Sequence, residues 1–207
     1  MTTKSQIFQL ADIEGERLQE VGAKIKNGAV AVIPTDTIYG IIGSALNPKT
    51  VEKIYKLRKR NSSKPMILLV DSEKQISDLG IKLSVEQISL LFKIWPNPIS
   101  VVVDAPSQKL NYLHRGKRSL AFRVPHNEWL LKLLKVTGPI VAPSANFEGE
   151  DAAKNVEEAR RYFRDSSEFY IDGGELKSKP STVAKLEKSK LVVLREGAAK
   201  IPAELLK

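Results

Sequence analysis

The chain of 207 residues contains no cysteine, which excludes disulfides, thiolate metal centres and cysteine nucleophiles and is consistent with a cytoplasmic protein. Histidine is almost as scarce. His114 and His126 are the only two and have no metal-ligand spacing, so neither a histidine metal site nor a Ser-His-Asp triad is expected. The longest apolar run is Met66–Val70, far short of the roughly 20 residues of a membrane helix, and MTTKSQIFQL at the start has no leader-like apolar stretch. No G-x-x-x-x-G-K-[ST] loop is present, and no G-x-G-x-x-G follows any strand. Any phosphate must therefore be met by side chains.

Positive charge is abundant. Lys and Arg number 33 against 24 Asp and Glu, a net +9 that attracts polyanions such as RNA and nucleotides. The densest stretch is KLRKRNSSK at 56–64, which also reads as a solvated helix end whose cations offset the macrodipole.

Periodicity predicts helices over 16–27 (Leu18, Val21 and Ile25 inward, Gly28 as cap), 47–60 (Pro48 in the first turn), 84–94 (capping box Ser84/Gln87), 127–137 and 155–163. Strands are predicted at 29–33, 66–70, 98–105, 119–125, around 139–142, at 168–172 and in two C-terminal segments. Strands and helices do not alternate strictly, so the fold class is α/β or α+β with a mixed sheet, built as one domain over 1–207 with a core of about 18–198 and a short tail at 199–207.

Every polar cluster falls at a strand end, where loops on a rigid sheet build sites. PTDTIYG follows the strand at 29–33, and PSAN follows the one near 140. Arg123 interrupts the apolar strand LAFRV; a guanidinium among buried positions needs an anionic partner, either an internal carboxylate or a ligand's. Arg58, Arg60, Lys64 and Arg195 are the other candidates for meeting phosphates.

PTDTIYG, RKRNSSKPM, WPNPIS, LAFRVP, PIVAPSAN, DGG, PSTV and VVLREG, in this order, resemble the YrdC family of threonylcarbamoyl-AMP synthases. The resemblance runs from about residue 18 to residue 198 and matches the short, single-domain members. It implies a large twisted mixed sheet around a concave basic cleft, and condensation of L-threonine, bicarbonate or CO2, and ATP, with Mg2+, into threonylcarbamoyl-adenylate and pyrophosphate. It also implies tRNA or double-stranded RNA as a partner, and a downstream transferase that consumes the adenylate.

By the same resemblance, Thr37, Arg123, Ser144 and Ser181 hold threonine, and Tyr39 shapes the pocket. Arg58, Arg60, Lys64, Ser119, Asn146 and Arg195 face the nucleotide. Five positions depart from the family pattern: Arg58 stands where Lys is usual, Asn61 where Pro is usual, Lys64 where Asn is often found, Leu69 where some members have His, and Pro180 where Glu is frequent. The alternative reading is a non-enzymatic RNA-binding or ribosome-maturation factor of the same fold.

Overall fold

Side-chain alternation in short central strands decides which helix lies on which face. The computed structural model describes residues 5–207. In β2 (Ala31–Ile33), Ala31 and Ile33 point one way and Val32 the other; Ile42 and Ile41 divide likewise in β3 (Gly40–Ser44). The first face packs under α1 (Gly15–Lys26) through Leu18, Val21 and Ile25, and under α6 (Glu128–Thr137) through Leu130, Leu133 and Leu134. The second packs against α2 (Pro48–Leu57), α4 (Val85–Ile94) and α7 (Val156–Phe163). Both sides of the central strands are thus dry.

Local signals set the helix ends. The Asn47 side chain accepts from the backbone N–H of Lys49 and Thr50 just before Pro48, and Ser84 and Gln87 form the reciprocal capping box. Asn155 caps α7 by accepting from Glu158 N. The expected return bond from Glu158 goes instead to Lys154 N, one residue earlier.

The remaining strands are β1 (Gln6–Gln9), β4 (Leu68–Leu69), β5 (Ile99–Asp104), β6 (Ser119–Arg123), β7 (Ile140–Val141), β8 (Phe169–Asp172), β9 (Thr182–Glu187) and β10 (Lys190–Arg195). Among the described residues they form one mixed sheet in the order β1-β8-β2-β3-β7-β4-β6-β5-β9-β10. Four pairs, β1/β8, β8/β2, β4/β6 and β5/β9, are parallel and the other five antiparallel, which is the mixed sheet expected from the sequence. Two strands and two helices were not anticipated: β1, the short edge strand; β3, whose glycines disguise it; the six-residue α3 (Glu73–Asp78); and the single turn α5 (Asn111–His114). The expected strand at 66–70 keeps ladder pairing only at Leu68 and Leu69.

Toward the β10 edge only one face is fully covered. Ser119 and Ala121 of β6, Val102 of β5 and Val183 of β9 share the other face with Arg123 and remain half-buried. A trough runs along this face and ends at the site.

Candidate active site

The site begins with a proton count. Pro34 ends β2, and Thr35 Oγ1 then donates to Ile38 O at 2.7 Å, because a carbonyl can only accept. That oxygen also accepts from Thr37 N and lies 3.1 Å from Thr37 Oγ1, so the Thr37 hydroxyl is the donor in the pair. The free side of Thr37 Oγ1 therefore offers lone pairs. Across the pocket, Ser144 Oγ accepts from Arg58 Nη2 at 3.0 Å; a guanidinium never accepts, so the Ser144 proton remains free to donate. An acceptor and a donor thus line opposite walls.

These walls surround a cavity of about 280 Å3 lined by Thr35, Thr37, Tyr39, Ile67, Arg123, Pro143, Ser144, Asn146, Glu150, Asp151, Pro180, Ser181 and Arg195, among others. Main-chain bonds join the two motif loops: Ile41 N to Pro143 O, Ala145 N to Tyr39 O, and a bridge between Gly40 and Ser144. Seven of the expected residues meet here, namely Thr37, Tyr39, Arg123, Ser144, Asn146, Ser181 and Arg195.

Arg123 is buried, with its Nη2 3.0 Å from Asp36 Oδ1. Its anionic partner is therefore internal, and Asp36 is itself fixed by His126 N at 3.2 Å. The contact lies off hydrogen-bond alignment, and Arg123 Nε has no partner among the described residues and almost no accessible surface. Burial pulls the guanidinium pKa down; Asp36 opposes this and the neighbouring Arg195 adds to it. Arg123 thus lines the cavity with a guanidinium short of acceptors, and an anion there would supply one.

Ser181 Oγ lies 2.9 Å from Ser100 Oγ, and Arg195 Nη2 donates to Ser181 O at 2.7 Å. Gly197 makes this arrangement possible: a Cβ there would lie 2.3 Å from Pro180 O and 2.4 Å from Ser181 C. Tyr39 Oη donates to Gly174 O at 2.8 Å and accepts from Gly173 N at 2.9 Å, so it anchors the segment that crosses from β8 to Ser181. Burial raises its pKa to about 12.

Four expected nucleotide contacts stand elsewhere. Arg58 is buried behind the wall, donating from Nε to Asn146 O and from Nη2 to Ser144 Oγ and Asn146 Oδ1; it braces the PSAN loop. Burial, with Arg60 nearby, lowers its pKa to about 10. Arg60 is spent on the carbonyls of Lys64 and Pro65, and Lys64 pairs with Glu148 at 2.8 Å. Ser119 lies four residues from Arg123 on the same strand face, about 13 Å away at strand rise. The register that sets Leu68 beside Phe122 carries Ser119 toward the Lys64–Pro65 loop.

Asn146 lines the cavity with both amide hydrogens committed. Its Nδ2 donates to Phe147 O and Glu150 O, and its Oδ1 accepts from Arg58, which leaves one lone pair on that oxygen. It shapes the loop, and toward the cavity it can act only as an acceptor. Asp36, Ser100, Glu150 and Asp151 were missed; Asp36 and Ser100 stood inside the quoted motifs PTDT and WPNPIS, while Glu150 and Asp151 carried no signal.

A family model named Sua5_yciO_yrdC and described as "Telomere recombination" matches residues 23–197. The chain is 29% identical over 94% of its length to a putative threonylcarbamoyl-AMP synthase of Methanocaldococcus jannaschii, covering 93% of that protein. It is 30% identical to the threonylcarbamoyl-AMP synthase of Pyrococcus abyssi over 89% of its own length, but spans only 55% of that longer chain. The P. abyssi Sua5 structure complexed with L-threonine superposes with a TM-score of 0.82 at 29% identity, over 94% of this chain and 58% of that one. E. coli YciO shares the fold at a TM-score of 0.82 and 22% identity, covering 98% of this chain and all of that one. With this match over most of its length, the chain belongs to the Sua5/YciO/YrdC family.

Proposed function

We propose that this chain is an L-threonylcarbamoyladenylate synthase, joining L-threonine, bicarbonate or CO2, and ATP into threonylcarbamoyl-AMP and pyrophosphate. The observation that carries the reading is Arg123, a buried guanidinium short of acceptors on the wall of a cavity that also offers the Thr37 acceptor and the Ser144 donor. An amino acid supplies what each lacks: its carboxylate for Arg123, its amine hydrogens for Thr37 Oγ1, and oxygens for the Ser144 hydroxyl. The relatives named as threonylcarbamoyl-AMP synthases and the L-threonine complex of P. abyssi Sua5 support the same substrate.

The threonine amine, once neutral, attacks CO2 and loses a proton to give the carbamate. A carbamate oxygen then attacks the α-phosphorus of ATP, and the bond to the β-phosphate oxygen breaks as pyrophosphate leaves. Neither step needs a side-chain nucleophile, so holding the reactants together is most of the catalysis. Arg195 at the cavity wall offsets charge on the phosphate oxygens. The trough past Ala121 and Ser119 leads the remaining phosphates toward the basic loop of Arg60 and Lys64.

Among the described residues there is no cluster of three or more His, Asp or Glu able to hold a metal alone. That suits Mg2+ arriving with ATP, since this ion keeps its waters and takes one or two carboxylates beside the phosphates. Glu150 or Asp151 at the cavity wall would hold it, and it would neutralise triphosphate charge. The mixed anhydride product is labile, which calls for a transferase that passes the group to tRNA. No described helix is long and apolar enough to cross a membrane.

The deciding assay is pyrophosphate release from ATP. It should require both L-threonine and bicarbonate, whereas release indifferent to threonine, or none, overturns the reading in favour of an RNA-binding factor.

A further inference from the structure

Helix α4 is apolar on more sides than the core uses. Leu90, Leu91 and Ile94 are buried in the core, yet Val85, Ile88 and Phe92 form a second stripe, spanning about 60° of the outer side at helical periodicity. Val85 is 78% exposed and Phe92 62%, two of the five large apolar side chains that reach solvent among the described residues. A helix that is apolar nearly all round is normally covered all round.

Phe92 also walls a cavity of about 190 Å3 between α4 and the turn after β4. Ile88, Leu91 and Trp95 line it from the helix and its exit, and Pro96 and Val124 complete the apolar lining. The Trp95 indole N–H is spent on Ile99 O at 2.7 Å, so the ring brings only apolar surface to the cavity. None of these residues lines the cavity of Arg123. Pockets for whole small molecules begin at roughly 300 Å3, so this one suits a single large side chain.

The facing rim is acidic. Asp71, Ser72 and Glu73 lead into α3 and are all half-buried at the cavity. Ser72 Oγ donates to Asp71 Oδ1 at 2.6 Å, which leaves Oδ2 open. Lys74, the next cation along the chain, pairs with Asp78 at 3.3 Å, and no Lys or Arg pairs with Asp71 or Glu73 among the described residues. An apolar socket edged by unpaired carboxylates, on a chain of net charge +9, is complementary to an apolar side chain flanked by a cation. A two-fold contact with a second copy would set one acidic patch against another.

We propose that this groove docks an amphipathic helix of another protein, with one bulky apolar side chain in the cavity beside Trp95 and a Lys or Arg on Asp71 and Glu73. Recognition of a helix in a groove reads anchors at i, i+3 or i+4, and i+7, and Val85, Ile88 and Phe92 offer the same spacing to such a partner. The surface stands apart from the residues placed around threonine and ATP, and the proposal does not rest on the synthase reading.

The test is selection of a phage-displayed library of helical peptides on the full chain, followed by fluorescence anisotropy titration of the enriched peptides in synthetic form. Enriched sequences should carry Leu, Met or Phe with Lys or Arg within one turn, and binding should weaken as salt rises. Phe92→Ser should weaken the tightest peptide at least about tenfold, the scale of an anchor contact. Asp71→Asn combined with Glu73→Gln should weaken it about fivefold, the scale of two exposed ion pairs, and flatten the salt dependence. Unchanged circular dichroism in both variants separates lost binding from lost fold. Failure to enrich any sequence, enrichment of peptides without a cation, or affinity indifferent to Phe92→Ser overturns the proposal. So does sedimentation in which the chain self-associates and Phe92→Ser makes it monomeric, since the occupant would then be a second copy.

Discussion

Asp36 Oδ1 and Arg123 Nη2 stand 3.0 Å apart with both side chains almost wholly buried, 87 residues apart in sequence. The pair fixes one edge of the guanidinium, and Nε is left without a partner among the described residues. Removing the carboxylate strands a buried cation. Asp36→Ala should therefore cost about 3 kcal/mol of stability, read as a lower urea midpoint at unchanged slope. A loss within error of zero would mean that Arg123 is solvated in the native state.

Thr37→Val removes the lone pairs offered to an amine while keeping the shape of the side chain. Thr37→Ser keeps them. The valine variant should lose about tenfold in kcat/KM for threonine, the scale of one hydrogen bond in a dry site, and the serine variant much less. Equal kinetics for the two would remove the hydroxyl from the pocket chemistry.

Gly197→Ala puts a methyl carbon against the Pro180–Thr182 backbone, where nothing can yield except main chain. Overpacking of this kind costs about 1–3 kcal/mol. Because Arg195 and Ser181 both hang on this contact, activity should fall further than stability does. Circular dichroism and turnover, measured together, separate the two losses.

Tyr39→Phe deletes both bonds that anchor Gly173 and Gly174. Trypsin should then cut faster after Lys177 on the freed segment, with the core spectrum unchanged. In the parent protein the folded-state pKa of about 12 lies above the ordinary value of 10.0. The contribution of this phenol to stability is thus whole below pH 10 and is lost as pH rises toward 12. Alkaline unfolding of the phenylalanine variant should lack that component.

Glu148 shows the opposite sign. Bonds from Asn61 N and Lys64 hold its pKa at about 2, below the ordinary 4.5. Its tie to the 61–64 loop is complete above pH 4.5 and fails as pH falls toward 2. Titration of its carboxyl carbon by NMR should place the midpoint near the lower value, and Glu148→Gln should remove any stability difference in that window. The group is partly exposed, so the effect should shrink in salt.

The sequence carried chemistry further than it carried position. Pro-Thr-Asp-Thr and Pro-Ser-Ala-Asn named their loops correctly because strand, proline and small polar residues are local signals. Arg58 reads as one more cation in a basic run; only the packing of the 144–148 loop, nearly 90 residues away, turns it inward. Asn146 has the right chemistry for a nucleotide, but both its amide hydrogens go to Phe147 O and Glu150 O and its oxygen already accepts from Arg58, a commitment that no spacing displays. Strand β3 was missed for a related reason: Gly40 and Gly43 weaken its β signature, whereas in the fold Gly43 gives Thr50 and Ile54 the room that α2 needs to close over the sheet.

The main-chain bonds that join residues 39–41 to 143–145 make the Thr37 and Ser144 sides of the chamber a single piece. Reactants cannot be admitted by parting those sides. The Gly173–Pro180 span is tied separately, by the Tyr39 phenol at its start, by Leu176 N to Lys154 O midway and by Ala198 N to Pro180 O at its end. The grip on a reactant therefore rests on one fixed jaw, and a change in the span leaves that jaw in place.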